Sequence, residues 1–385
     1  VKYIDEYRDA KLAKDIARQI AAAVDPARSY HFMEFCGGHT HAISRYGLED
    51  LLPSNVQMIH GPGCPVCVLP IGRIDAAIAL AMCPEITLCT YGDLMRVPSS
   101  NGSSLLKARA TGADIRMVYS TLDSLNISEA EPNRQVVFFA IGFETTTPPT
   151  ALSLRFAIAK DLANFSIFSN HVLTPAAIQT ILENSDARTL GTIKIDGLLG
   201  PAHVSTVIGT QPFEVLAEEY NKPIVVAGFE PLDVIYSILM LVRQVNEGVH
   251  KVENQYIRAV TTLGNEKARR EIANVFELRE SFEWRGLGAI PQSGLGLRPG
   301  YAKYDAEKRF DVVTPAAKDN PACECGAILR GVKKPSDCKL FGKVCTPDSP
   351  MGSCMVSSEG ACAAYWLYGR FGRQGKADES SRTIA

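Results

Sequence analysis

Eight short apolar runs, each closed by Gly, Pro or a polar loop, restrict the fold of this chain more than any other feature. They are His31–Phe35, Val56–Ile59, Ile86–Thr90, Ile115–Tyr119, Val136–Ile141, Phe165–Phe168, Gly197–Leu199 and Ile224–Ala227. Helical periodicity lies between most of them, over Arg73–Met82, Thr150–Leu162 and Pro175–Leu182. Strands that alternate with helices pair through crossovers rather than tight hairpins. The expectation is therefore an α/β fold with mainly parallel sheets flanked by helices. Four runs precede residue 130 and four follow it, and the segment Asn126–Asn133 between them is polar and contains a Pro. Two similar lobes are expected, with a single eight-stranded barrel as the competing arrangement.

The flanks read differently. The first 25 residues form an amphipathic, charged helical pattern that ends at Asp25-Pro26. From Leu232 to about Glu280 the pattern is helical and strongly charged, and Trp284–Tyr301 is Gly-rich and irregular. A Cys-rich, helical and irregular module follows, and the polar tail is expected to be disordered. The expected division is an N-terminal helix (1–28) packing with the C-terminal domain, α/β domains at 29–130 and 131–235, a C-terminal domain at 236–370, and the tail at 371–385.

Composition narrows the function. Hydrophobic residues make up 46% and charged residues 21% of the 385, as in ordinary globular proteins, and the net charge is −2. No basic stripe interleaved with aromatics is present, which argues against nucleic-acid binding. The N-terminus lacks the apolar core of a signal peptide, and Val234–Val242 is far too short to span a bilayer, so a cytoplasmic location is expected. The 11 Cys then stand out, because structural disulfides are rare in that compartment. Five lie between Cys36 and Cys89 and six between Cys323 and Cys362, which implies two separate sites.

The chemically unusual residues follow the ends of the apolar runs. Cys36-Gly-Gly-His39-Thr-His41 places a thiol and two imidazoles within six residues, a donor set that suits a soft-to-borderline metal. A buried Cys with His residues bonded to backbone is the plainer alternative. Cys64-Pro-Val-Cys67 has the spacing of a reversible disulfide or of two ligands to one metal. Asp93, Glu144, His171, His203 and Glu230 also follow runs and, with His41, are cleft candidates, since ligands of open α/β sheets bind beyond the carboxyl ends of the strands. Individually, His171 and His203 are read first as structural, and the two Glu equally suit helix N-termini. Cys83 and Cys89 are read as core residues.

The C-terminal module carries Cys323, Cys325, Cys338, Cys345, Cys354 and Cys362 within 40 residues. Four thiolates satisfy a 4Fe-4S cluster and leave two over for a redox disulfide. Structural zinc is the rival, but zinc modules favour paired Cys-x-x-Cys knuckles, which this module lacks.

With these residues in view, the chain resembles the HypD family of hydrogenase maturation proteins. The matching strings are MEFCGGHTHAI, GPGCPVCVLP, YGDLMRVP, AIGFETTTP, GPAHVS, AGFEPLD and CECGAILRG…CKLFGKVCTP…GSCMVSSEGACAA, from about residue 30 to residue 370. The resemblance implies a scaffold and redox component that assembles the Fe(CN)2CO group of nickel–iron hydrogenases. It implies work with a small chaperone, HypC, and with HypE as the cyanide donor, itself supplied by HypF. It further implies that Cys36 ligates the iron ion, that His39 supports that site, and that Cys64 and Cys67 are the redox pair, with iron contact as a further role. The cluster would then relay electrons. The ligand set adopted for it is Cys323, Cys338, Cys345 and Cys362, with Cys325 and Cys354 as a disulfide beside it. Which members of the module are spare stays open, as does turnover outside a complex. The alternatives are a stand-alone iron–sulfur thiol–disulfide reductase and a zinc-stabilised binding module.

Overall fold

A computed structural model of the chain describes residues 5–187 and 194–369. All eight apolar runs are strands: β1 (Tyr30–Glu34), β2 (Val56–His60), β3 (Ile86–Thr90), β4 (Ile115–Met117), β5 (Gln135–Gly142), β6 (Phe165–Val172), β7 (Gly197–Pro201) and β8 (Ile224–Ala227). Five further short strands follow: β9 (Val252–Asn254), β10 (Phe276–Leu278), β11 (Ser281–Trp284), β12 (Gly288–Pro291) and β13 (Gly294–Leu297).

The strands build two open sheets rather than a barrel. One has five strands in the order β2-β1-β7-β8-β9, and its pairs are parallel. The other has six, in the order β10-β13-β6-β5-β3-β4; β3 to β6 are parallel, and β13 and β10 add an antiparallel edge. The sheets do not divide at residue 130. The chain builds β1 and β2, crosses to build β3 to β6, returns for β7 to β9, and crosses again for β10 and β13. The segment expected to link two lobes runs through the helix Thr121–Ala130 into β5, which pairs with β3 in the same sheet. Each sheet thus draws on both halves of the chain, because which strands pair is a tertiary outcome that local polarity does not report.

Two other expectations are corrected. The helical reading from Leu232 breaks at Gly248, whose φ of +66° caps the helix Pro231–Glu247, and a second helix starts only at Glu266 behind the Asn265 cap. Trp284–Tyr301, expected to be irregular, contains most of the β11–β12 hairpin and β13. The tail at 371–385 lies outside the described residues.

The N-terminal helix runs from Ala10 to Ala23, with the Asp9 carboxylate accepting from the N–H groups of Lys11 and Leu12. Ile16 and Ile20 on its apolar face are buried with Tyr30 and Phe32 of β1 and with Ile235, Ile238 and Leu239 of the helix Pro231–Glu247. Each fully buried Ile contributes about 1.5–3 kcal/mol. Arg73, on the helix Ile71–Ala81, ties that helix to the six-stranded sheet: its Nη2 donates to Ser169 O at 2.9 Å and its Nη1 pairs with Glu307 at 2.6 Å. Among the described residues no helix is long and apolar enough to cross a membrane.

Candidate functional site

The site grows from the carboxyl edge of the five-stranded sheet. β1 and β2 are in register with Glu34 opposite His60, and their side chains meet, His60 Nδ1 to Glu34 Oε1 at 3.0 Å. Glu34 is fully buried, and its carboxylate also accepts from the Thr40 hydroxyl and, at 2.9 Å, from the backbone N–H of Cys36. A buried carboxylate is retained when such donors satisfy it. Here the donors are the residues that turn the chain from β1 into the helix Gly37–Tyr46, so Glu34 fixes the position of Cys36 at the start of that helix.

Cys36 is buried, with Sγ 3.5 Å from His203 Nδ1. Burial pushes its thiol up to about 12, and Glu359 adds to this, while the backbone groups of Gly38 and His203 pull the other way. The His203 ring stacks on Phe229 at 4.0 Å. Although part of His203 faces solvent, its apolar surroundings hold it below the ordinary imidazole value, so it stands neutral at pH 7. The approach to Cys36 requires glycine at two positions. A Cβ on Gly38 would lie 2.7 Å from Phe229 Cε1, and one on Gly37 would lie 2.7 Å from Glu359 Oε2.

Cys64 and Cys67 form a disulfide. Cys64 precedes the short helix Pro65–Val68, and its Sγ accepts from the Cys67 N–H at 3.2 Å. The loop before it is packed on Cys36: a Cβ on Gly63 would stand 2.7 Å from Cys36 Cα, and Gly63 O accepts from Gly37 N at 3.0 Å. The C-terminal module closes over both features. Ser353 Oγ donates to Cys67 O at 3.1 Å, and the module's Glu359 reaches Gly37.

Within the module, Cys323 Sγ donates to Cys325 Sγ at 3.4 Å, and Cys362 is hydrogen-bonded to Cys325 as well. Both Cys323 and Cys362 are raised, first by that bond to Cys325 and then by burial, and Arg285 is the cation that opposes the shift at Cys323. The expected Cys325–Cys354 disulfide is not formed; both thiols are free, and Cys325 packs against Cys323 and Cys362. Among the described residues no three His, Cys, Asp or Glu side chains form a ready cage for a single metal ion. The module nevertheless fits a soft metal cluster in its chemistry. Six free thiols share it, and most are buried. Gly352 leaves open the space against Cys323 and Cys325, since a Cβ there would collide with both sulfurs.

The remaining candidates are dispersed. His39 is fully buried with Nε2 donating to Ala227 O at 2.9 Å, so it ties the Cys36 helix to the end of β8, and its Nδ1 has no partner. His41 bonds the Tyr368 hydroxyl, next to the helix Ala361–Leu367. Asp93 accepts from Ser357 Oγ at 2.8 Å and so holds the loop that carries Glu359. Glu144, at the end of β5, lines a separate cleft of about 540 Å³ and accepts from Thr174 N and Oγ1, each at 2.9 Å. His171 bonds Thr150 inside the six-stranded sheet. Glu230 caps the helix Pro231–Glu247 and pairs with Arg8 at 2.5 Å. Cys89 is buried in β3, while Cys83 is only partly covered. The single edge expected to gather these residues is therefore two edges. Cys36, the disulfide and His203 share one, and Glu144 and His171 belong to the other.

Glu34, His60 and Glu359 were not legible as site residues. An acid inside an otherwise apolar run, two positions before Cys36, was the available signal for Glu34. Nothing local connects Glu359, on a C-terminal loop, with Gly37.

Fold and site together define a thiol-centred α/β protein, in which a Cys–His pair lies beside a disulfide under a six-Cys module. The HypD family model, described as the hydrogenase formation hypA family, matches residues 11–369. The hydrogenase maturation factor HypD of Rhizobium leguminosarum bv. viciae is 79% identical over 385 residues, which is 100% of each chain. Those of Cupriavidus necator and Escherichia coli are 64% and 46% identical, each over 96% of this chain and 98% of the relative. The chain belongs to the HypD family of hydrogenase maturation factors.

Proposed function

We propose that the chain is a scaffold and redox component for assembly of the Fe(CN)2CO group of nickel–iron hydrogenase. In this reading Cys36 holds the iron as cargo together with a thiol of the small chaperone HypC, HypE delivers cyanide, and the disulfide pair and a 4Fe-4S cluster in the C-terminal module handle electrons. The observation that carries it is the stacking of three thiol features: the Cys64 loop lies on the Cys36 backbone, and Ser353 of the Cys module bonds the Cys67 carbonyl.

The chemistry follows from the side chains. Cyanide and carbon monoxide favour low-spin Fe(II), which thiolates hold well while leaving positions open. A thiol pushed up to about 12 keeps its proton at neutral pH until a cation displaces it. The neutral His203 Nδ1, 3.5 Å from Cys36 Sγ, is placed to accept a hydrogen bond from that thiol, and the displaced proton passes to solvent. A cluster would draw its ligands from the six module thiols, with Cys323, Cys325 and Cys362 already in contact. That contact favours Cys323, Cys325 and Cys362 as three of the four ligands, with the fourth from the remaining module thiols.

The test is anaerobic purification of the full chain with its small partner, followed by infrared spectroscopy and iron and sulfide analysis. Cyanide and carbonyl bands that vanish in Cys36→Ala, while about four irons and sulfides stay with the chain, are expected. Iron and sulfide without those bands, from a host with the whole pathway, would favour a thiol–disulfide reductase. Zinc alone would overturn both readings.

A further inference from the structure

Arg285 occupies the turn between β11 and β12, and its side chain is only 2% exposed. Its Nε and Nη2 make no hydrogen bond. Its ion partner among the described residues, Asp319 Oδ1 at 3.4 Å from Nε, is 44% exposed and therefore weakly neutralising. A guanidinium removed from water with donors unused is costly, and such a group is kept where its charge serves something nearby.

The turn is locked between the two thiol features. The Arg285 N–H donates to Val68 O at 2.7 Å, one residue beyond Cys67. Gly286, with φ +81°, packs on the helix Cys325–Leu329, where a Cβ would lie 2.6 Å from Gly326 Cα. Arg330 Nη1 donates to Gly286 O at 2.5 Å. Held on both sides, the turn keeps Arg285 against the segment that carries Cys323 and Cys325: its Nε lies 3.4 Å from Asp319 Oδ1, four residues before Cys323, and Gly326 follows Cys325 directly.

We infer that Arg285 sets the reduction potential of the iron–sulfur group in the Cys323 module, by holding a buried positive charge against the segment that carries Cys323 and Cys325. The inference rests on the cluster reading above. Reduction adds one electron and makes the site more negative. A buried cation stabilises that reduced form and raises the potential. Arg285 is in these terms a positioning residue for charge rather than a ligand.

The experiment uses the full chain, reconstituted anaerobically with iron and sulfide, with midpoint potential followed by electron paramagnetic resonance in a mediated titration. In Arg285→Gln, with iron and sulfide content unchanged, the reduction equilibrium constant is expected to fall about tenfold, or about 59 mV for one electron. Arg285→Lys keeps the charge and should stay nearer wild type. Asp319→Asn removes an exposed counter-charge and should shift the potential upward. Wild-type potentials in both Arg285→Gln and Asp319→Asn would overturn the assignment while leaving the cluster intact. If Arg285→Gln fails to load, Asp319→Asn decides alone, an upward shift supporting the role and no shift overturning it. A wild-type chain that takes up no iron and sulfide overturns the cluster reading, and this role with it.

Discussion

Cys36 Sγ and His203 Nδ1 lie 3.5 Å apart although 167 positions separate them in the chain. The cause is sheet order. β1 and β7 are parallel neighbours in the five-stranded sheet, so the segments that leave their carboxyl ends emerge side by side. Because the His203 ring is neutral, it faces Cys36 as a hydrogen-bond acceptor rather than as a competing cation. On the proposed reading, in which Cys36 holds iron, His203→Ala should weaken iron retention there by roughly 10- to 100-fold, the usual effect of losing a group that orients a metal ligand. Iron and sulfide in the C-terminal module should not change. Infrared band intensity of the complex, set against total iron, checks both statements.

Gly63 tests the contact between the disulfide loop and Cys36. A Cβ there meets the Cys36 backbone, which cannot rotate aside. Gly63→Ala should cost about 1–3 kcal/mol and abolish loading at Cys36. Gly300, where an added Cβ meets nothing within 4 Å, is the control, and Gly300→Ala should stay within about 0.5 kcal/mol. Urea unfolding of the two variants separates a local collision from a general intolerance of alanine.

Two buried groups give stability opposite slopes with pH. His171 is lowered to about 4 by burial, against the ordinary 6.5. Between those values the unfolded chain binds the extra proton, so stability falls as pH drops, by about 2 kcal/mol from pH 6.5 to pH 5. Glu144 is raised to about 7 by burial, against 4.5. There the folded chain binds the extra proton, so stability falls as pH rises from 4.5 to 7, by about 3 kcal/mol. His171→Gln should steepen the net loss on raising pH, and Glu144→Gln should flatten or reverse it. Unfolding free energies from pH 4.5 to 7.5 read both slopes.

After reduction of the disulfide, the two thiols should differ. Both thiols are buried, and only Cys64 Sγ accepts a backbone N–H, that of Cys67 at the start of the helix Pro65–Val68, which stabilises negative charge on Cys64. Limited iodoacetamide labelling at pH 7, read by peptide mass spectrometry, should modify Cys64 before Cys67. Equal labelling would show that the helix start does not distinguish them.

Much of this molecule was decided locally. The eight apolar runs became strands and the amphipathic N-terminus became a capped helix, because a run of β-branched and aromatic residues, or a stripe at helical spacing, expresses its preference over a few residues. The strings around Cys36, Cys64 and the six C-terminal Cys carried the family, since chemistry needs those residue types close together in the chain. Tertiary structure decided the rest. It set the strand order, which crosses three times between the sheets and dissolves the boundary at residue 130. It chose His203 rather than His39 or His41 as the partner of Cys36, paired Glu34 with His60 by register, and brought Glu359 to Gly37. These are contacts between residues far apart in the chain, selected by how whole sheets and the Cys module pack, and no window of sequence contains both partners.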